Sequence, residues 1–292
     1  MKGKLGIHSL AFTDDWSEAN ARAACETASR IGYELMEVLI FDPATLDVGM
    51  TRKVIADAGL APRLGMALPA SADISSDDAG VAGRGEAMVR CCLDIAAELG
   101  APGVSGITYA AFNRYPSPPS AAQRDRVAEA LSRLDAHAGG LGLKLGLEPV
   151  NRYESHMVNS LDQAAELIRR SEGRNLFIHM DTFHMNIEEA DIAAAISRNA
   201  AFLGYAHVAD NHRGEVGAGT FDWTTYFRSL AAVGYAGDFT IECFSARRLG
   251  PDLVGGVSLW RHGWDDAEVV AKRSFDFLQG AVSLAREAVK PW

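Results

Sequence analysis

The sequence predicts a single-domain α/β protein, a (β/α)8 TIM barrel that spans residues 1–292. Three observations support this fold class. Short apolar runs rich in β-forming residues alternate with longer segments of helical periodicity, which is typical of parallel strands joined by crossover helices. Eight such units fit at about 36 residues each, close to the usual size of a barrel repeat. The one Pro- and Ser-rich stretch, residues 115–120, is short enough to be a loop, so no linker divides the chain.

Eight predicted strands follow one another along the chain. They cover residues 5–8, 35–40, 62–68, 103–109, 144–150, 176–181, 204–209 and 238–244. An open doubly wound sheet is the alternative, and that fold usually has a glycine-rich phosphate loop after its first strand. Here the first strand leads into Ser9-Leu-Ala-Phe-Thr13, which contains no glycine. The barrel is therefore the better prediction.

The segments between the strands show helical signals. Two of them begin with a capping-box pattern, a serine followed three residues later by a glutamine: Ser120 with Gln123, and Ser160 with Gln163. Apolar residues recur at helical spacing, as at Val89, Cys92, Leu93, Ala96 and Ala97. Glycines stand just before predicted strands, where helices are expected to end: Gly32, Gly59, Gly100, Gly142 and Gly234.

The composition argues against several classes of protein. With 28 Lys and Arg against 38 Asp and Glu, the net charge is −10, and no dense basic run would hold nucleic acid phosphates. No apolar run is long enough for a membrane span or a signal peptide. The four cysteines, Cys25, Cys91, Cys92 and Cys243, lack paired CxxC spacing. We expect a reduced, cytoplasmic protein without a structural zinc site.

Polar residues stand at the carboxyl ends of the last four predicted strands. They are Glu148, Asp181, His207 and Glu242, separated by 33, 26 and 35 residues, one β/α unit in each case. Because the carboxyl ends of barrel strands face one mouth, we expect these side chains to converge. Converging carboxylates repel one another unless a cation lies between them. Three carboxylates and one imidazole suit Mn2+, with Co2+ or Mg2+ as alternatives, better than a tetrahedral zinc site.

Other polar and aromatic residues flank this set. Glu154, His184 and Arg213 follow the strand ends by a few residues, where groups that orient a substrate belong. His179 lies within an apolar strand, which predicts a hydrogen-bonded histidine of the core. Aromatic residues near strand ends are candidates for a pocket wall: Phe12, Trp16, Phe112 and Phe244.

At these residues the sequence resembles the ketose 3-epimerases, which comprise the D-tagatose, D-allulose (psicose) and L-ribulose 3-epimerases of the xylose-isomerase-like TIM-barrel superfamily. Four segments carry the resemblance: Leu147-Glu148-Pro-Val-Asn-Arg-Tyr-Glu154, Asp181-Thr-Phe-His184-Met-Asn-Ile-Glu-Glu189, His207 with Arg213-Gly, and Trp260-Arg261. The second is the most specific. The resemblance runs from the first strand to the last helix and is densest between Leu145 and Arg261.

The resemblance implies a reaction and a role for each site residue. The reaction would interconvert C3 epimers of free ketohexoses and ketopentoses through a cis-enediolate, in a homodimer or homotetramer. Glu148, Asp181, His207 and Glu242 would be the metal ligands, and Glu148 and Glu242 also the acid/base pair. Glu154, His184 and Arg213 would hold O1 and O2 of the ketose. The far end of the sugar would meet His8, Trp16, Ile107, Phe112 and Phe244.

The sequence departs from the family pattern at several positions. Ala209-Asp210 follows the histidine ligand where the family commonly has Gly-Glu. The shorter acidic side chain affects a contact made to the metal ligands by a neighbouring residue, not a ligand itself. Pro149 replaces a common valine, and Gly65 and Met66 replace a cysteine and a larger residue. His8 stands where other members carry phenylalanine. The changes at Gly65, Met66 and His8 bear on which sugar is preferred.

Three other functions remain open from the sequence. An aldose–ketose isomerase, or a β-elimination lyase of the inosose dehydratase or C-glycoside deglycosidase type, could use the same four ligands, since fold and metal do not define chemistry. An apurinic endonuclease of the same superfamily would need more histidine ligands and a basic groove. A non-catalytic sugar-binding barrel would have no need of two carboxylates beside a metal.

Overall fold

In the computed structural model, which describes residues 2–288, eight parallel strands close into a barrel in chain order. The strands are β1 Leu5–His8, β2 Leu35–Ile40, β3 Ala61–Leu68, β4 Gly103–Ala111, β5 Lys144–Leu147, β6 Leu176–Asp181, β7 Leu203–Val208 and β8 Asp238–Ile241. The predicted (β/α)8 barrel is confirmed. Among residues 2–288, no helix has both the length and the apolar character that a membrane crossing requires.

Helices connect the strands around the outside of the barrel. They are α1 Glu18–Ile31, α2 Val48–Asp57, α3 Ala79–Leu99, α4 Ala121–Gly140, α5 Leu161–Arg170, α6 Thr182–Glu188, α7 Ile192–Asn199, α8 Trp223–Ala232, α9 Pro251–Gly256 and α10 Ala267–Ala288. The glycines predicted to end helices all have left-handed backbone angles: Gly32, Gly59, Gly100, Gly142 and Gly234. Their missing side chains let the chain turn back into the barrel.

The local predictions for the helices are mostly confirmed. Ser120 and Gln123 form a complete capping box. At the start of α5, Gln163 accepts instead from the backbone N–H of Asn159, one residue before the predicted partner. On α3 the buried stripe continues through Leu99, and Ala97, predicted to be apolar-facing, is exposed. Ser160 nevertheless caps α5 as predicted, since its Oγ accepts from the backbone N–H of Gln163 at 3.3 Å. Only the reciprocal bond of Gln163 and the burial of Ala97 differ from the prediction.

Two strands end three residues earlier than predicted, at Leu147 and Ile241. After β5, Glu148 makes one more ladder bond, to Gly106, and then Pro149 has no N–H to continue it. After β8, the backbone N–H of Phe244 turns to the carbonyl of Arg213 at 2.7 Å. The side chains at 148 and 242 are therefore the first to leave the sheet, at the mouth of the barrel.

Candidate active site

The four predicted ligands come together at the barrel mouth. All are buried: Asp181 is 1% exposed, His207 3%, Glu242 7% and Glu148 8%. Nδ1 of His207 lies 3.2 Å from Oε1 of Glu242 and 4.0 Å from both Oε1 of Glu148 and Oδ2 of Asp181. Since Glu148 follows β5 and Glu242 follows β8, the two glutamates reach this point from well-separated sides of the barrel.

The electrostatics of this cluster are unfavourable for three free carboxylates. Burial raises the pKa of Glu148 well above its ordinary value, and burial together with the charge of Glu242 raises that of Asp181 to about 7. Burial would also raise the pKa of Glu242, but His207 and Arg213 outweigh it and hold that pKa well below its ordinary value. Only an added positive charge would keep all three ionised at neutral pH.

The donor set fits a divalent cation. Oδ2 of Asp181 and Nδ1 of His207 are buried and have no hydrogen-bond partner among residues 2–288, which is costly unless a ligand satisfies them. One donor atom each from Asp181, His207 and Glu242 lie within 4.8 Å of one another. A hard cation such as Mn2+ or Mg2+ prefers this oxygen-rich environment.

A glutamate that the sequence analysis missed supports His207 from behind. Glu37, on β2, is fully buried, and its Oε2 lies 2.7 Å from Nε2 of His207 and also contacts the Tyr205 hydroxyl. Burial alone would raise the pKa of Glu37, but His207 lowers it to about 2. The ionised carboxylate accepts from Nε2–H, which leaves the lone pair of Nδ1 facing the carboxylates. Glu37 is the only charged residue in the strand Leu35–Ile40, and a charge in an otherwise apolar strand was the signal that could have revealed it.

Arg213 connects Glu154 and His184, the other two residues expected to hold the substrate, with Glu242. Its Nη2 lies 3.4 Å from Oε2 of Glu242 and 3.2 Å from Nε2 of His184, and Nη1 lies 3.7 Å from Oε1 of Glu154. The guanidinium is stacked between the rings of Phe183 and Phe244, at 4.1 and 5.0 Å. It is thus a buried, oriented donor group next to Glu242.

The loop after β7 holds Arg213 through Asp210, one of the departures from the family pattern. Oδ2 of Asp210 accepts from the backbone N–H groups of Gly217 and Gly219, at 2.9 and 3.0 Å, and from the Trp223 indole at 3.3 Å. The Asp210 carbonyl accepts from the backbone N–H of Arg213, which has a left-handed φ of 54°. Asp210 therefore organises the loop that carries Arg213.

A cavity opens above the cluster. It brings together most of the predicted substrate-binding residues, namely His8, Ile107, Phe112, Glu154, His184, Arg213 and Phe244. Trp16 is not part of this lining. Its indole N–H donates to Oγ1 of Thr51 at 3.1 Å, and its ring faces a neighbouring depression that contains Asp47 and Phe41.

His179 differs from its predicted role as a hydrogen-bonded core histidine. It is fully buried, but neither ring nitrogen has a hydrogen-bond partner among residues 2–288. Its Nδ1 lies 3.8 Å from Oε2 of Glu148, and its ring meets that of His207 edge-on at 4.1 Å. The reason is strand geometry: His179 is two residues before Asp181 and therefore shares its inward face.

The fold and this centre define a class: a (β/α)8-barrel enzyme whose active site suits a divalent cation. More specifically, the chain belongs to the xylose isomerase-like TIM barrel family, which matches residues 25–281. This confirms the family resemblance seen in the sequence motifs.

Several relatives are similar along nearly the whole chain. The L-ribulose 3-epimerase of Mesorhizobium japonicum is 35% identical over 283 residues, 97% of this chain and 95% of that protein. The ketose 3-epimerase of Arthrobacter globiformis is 34% identical, over 94% of this chain and 96% of that protein. The crystal structure of D-allulose 3-epimerase from Methylomonas sp. in complex with D-allulose has a TM-score of 0.93 and 32% identity, and it covers 96% of this chain and 97% of that one.

Proposed function

We propose that this enzyme is a ketose 3-epimerase, an isomerase that interconverts C3 epimers of free ketohexoses and ketopentoses through a cis-enediolate. The observation that carries the proposal is the approach of Glu148 and Glu242, from β5 and β8, to a common point beside Nδ1 of His207. Inversion at one carbon needs a proton removed on one face and returned on the other. The similarity to ketose 3-epimerases supports the choice of C3.

In this reaction one glutamate takes the C3 proton, and the C–H electron pair moves into the enediolate. The other glutamate returns a proton to the opposite face of C3, and the roles exchange in the reverse direction. A divalent cation held by Glu148, Asp181, His207 and Glu242 would supply Lewis acidity for the C2 carbonyl. Arg213, His184 and Glu154 would orient O1 and O2 and keep C1 away from the bases.

Three finer features belong to the proposal. Mn2+ is the cation that we propose, with Co2+ or Mg2+ as alternatives, on the basis of the oxygen-rich ligand set. We propose a cytoplasmic location, which agrees with the absence of disulfides at Cys25, Cys91, Cys92 and Cys243. A homodimer or homotetramer is proposed from the family resemblance, and sedimentation velocity of the purified protein would test it.

The deciding experiment follows the proton. The Mn2+-loaded protein is incubated in D2O with D-fructose, D-tagatose and L-ribulose, and the products are separated by chromatography and examined by NMR. We expect the C3 epimer, with deuterium at C3 alone. Glu148→Gln and Glu242→Gln should each abolish turnover. Deuterium at C1 or C2 with an aldose product would identify an isomerase instead, and a dehydrated product a lyase.

A further inference from the structure

His8 is a polar residue where the apolar wall of the cavity meets the cluster of carboxylates. It ends β1 and is 1% exposed. In the sheet it is level with Glu37 of β2, and the preceding residue, Ile7, is level with Ile241 of β8. His8 therefore lies between Glu37 and Glu242. The cavity wall around it is formed by Leu10, Leu39, Met66, Ile107, Phe112 and Phe244.

The partner of Nδ1 of His8, the nitrogen at the rear of the ring, determines whether Nε2, the nitrogen at the front, can donate a hydrogen bond to the cavity. The backbone N–H of Leu10 donates to Nδ1 of His8 at 3.1 Å, so Nδ1 presents a lone pair and the proton is on Nε2. Two edge-on contacts hold the ring in place, with centroids 5.8 Å from His207 and 6.2 Å from Phe244. His8 thus presents an oriented N–H donor to the cavity.

His207 and His8 follow one rule. In each, the protein engages one ring nitrogen, and this partner decides the polarity of the other. Glu37 accepts from His207, whose front nitrogen is then a lone pair suited to a cation. The backbone N–H of Leu10 donates to Nδ1 of His8, whose Nε2 is then an N–H donor suited to a sugar oxygen.

We propose that Nε2–H of His8 donates a hydrogen bond to the C4 hydroxyl of the ketose and thereby selects the configuration at C4. The role of His8 rests on the proposed function, because epimerisation at C3 requires C3 to lie between Glu148 and Glu242. His8 is beside Glu242 on the adjacent strand, so the first hydroxyl beyond C3 is the one within its reach. A fixed donor in an apolar wall discriminates strongly, since the wrong epimer leaves it unpaired.

The test compares two C4 epimers, D-fructose and D-tagatose, in wild type, His8→Phe and His8→Gln. We expect the ratio of the two kcat/KM values to fall about tenfold in His8→Phe, which keeps the ring size without a donor. His8→Gln, whose amide can reach the Nε2 position, should keep part of the ratio. Arg152→Lys, at an exposed position near the same mouth, is the control, and it should leave the ratio unchanged.

A second substrate keeps the proposal falsifiable if His8→Phe unfolds. The kcat/KM of wild type should be roughly tenfold lower for 4-deoxy-D-fructose than for D-fructose, and this difference should disappear in His8→Phe. Three outcomes would overturn the proposal: equal kcat/KM of wild type for D-fructose and the deoxy sugar, equal D-fructose to D-tagatose ratios in wild type and His8→Phe, or the same penalty for the deoxy sugar in both. Absence of C3 epimerisation by wild type on every ketose would instead refute the proposed function. In that case, equal calorimetric affinities of wild type for D-fructose and 4-deoxy-D-fructose would refute the role of His8 as well.

Discussion

Oε2 of Glu37 lies 2.7 Å from Nε2 of His207, and both side chains are buried at the base of the candidate metal centre. The pair joins β2 to β7 across the barrel. A carboxylate behind an imidazole orients the ring and raises its basicity as a ligand. By engaging Nε2, Glu37 thus leaves Nδ1 of His207 suited to serve as a ligand.

Replacing Glu37 should weaken cation binding, although Glu37 is not one of the predicted ligands of the cation. In Glu37→Gln, the amide can donate to Nε2 and so favour the tautomer that carries its proton on Nδ1. We expect a roughly 10- to 100-fold loss of Mn2+ affinity, measured by isothermal titration calorimetry. Glu34→Gln, an exposed glutamate just before the same strand, is the matched control. Unchanged Mn2+ affinity in Glu37→Gln would disprove the positioning role.

Loading with Mn2+ should stabilise the protein, since it removes the repulsion among buried carboxylates. At 100 times Kd the gain is about 2.7 kcal/mol, which corresponds to an increase in Tm of several degrees. Differential scanning calorimetry with EDTA and with Mn2+ measures it. Asp181→Asn should remove most of the increase, because the buried Oδ2 of Asp181 has no hydrogen-bond partner among residues 2–288 and is available to a cation. If Asp181→Asn kept the full increase in Tm, the cation would bind at a site that does not include Asp181.

Arg213→Lys should impair the enzyme although the charge is retained. The guanidinium is stacked between Phe183 and Phe244 and points two nitrogens at neighbouring groups, a geometry that an ammonium cannot reproduce. We expect kcat/KM for the preferred ketose to fall roughly 100-fold. Arg152→Lys is the control, because Arg152 pairs with Glu188 near the same mouth but is 60% exposed. Similar losses in both variants would count against a specific role.

Asp210→Asn tests whether the loop after β7 depends on its carboxylate. An asparagine can accept through only one of its two side-chain atoms. Either the donors to Oδ2, which are Gly217, Gly219 and Trp223, or the Asn211 N–H that donates to Oδ1 therefore lose their acceptor. We expect a loss of about 1–3 kcal/mol in the free energy of unfolding, measured with urea, and an increase in KM. Asp252→Asn, at an exposed position, should change neither. An unaltered KM would separate the loop from substrate binding.

Some of the site was predictable because it depends on periodicity along the chain. Glu148, Asp181, His207 and Glu242 occur one β/α unit apart, and parallel strands bring equivalent ends to one mouth. The positions of Glu37 and His179 were predictable in principle, since each interrupts an apolar strand. Trp16 was not, because a residue past a strand end can turn either into the cavity or, as here, toward Thr51.

The amino-acid sequence by itself determined the barrel, its eight units and the polar residues at the strand ends, because these follow from local pattern and repeat length. Only the tertiary structure decided which nitrogen of each histidine faces the cavity. Glu37 lies 170 residues from His207 in the chain, and the hydrogen bond between them exists only after the barrel closes. Hydrogen-bond partners across a closed sheet leave no local signal, and they define the chemistry of this site.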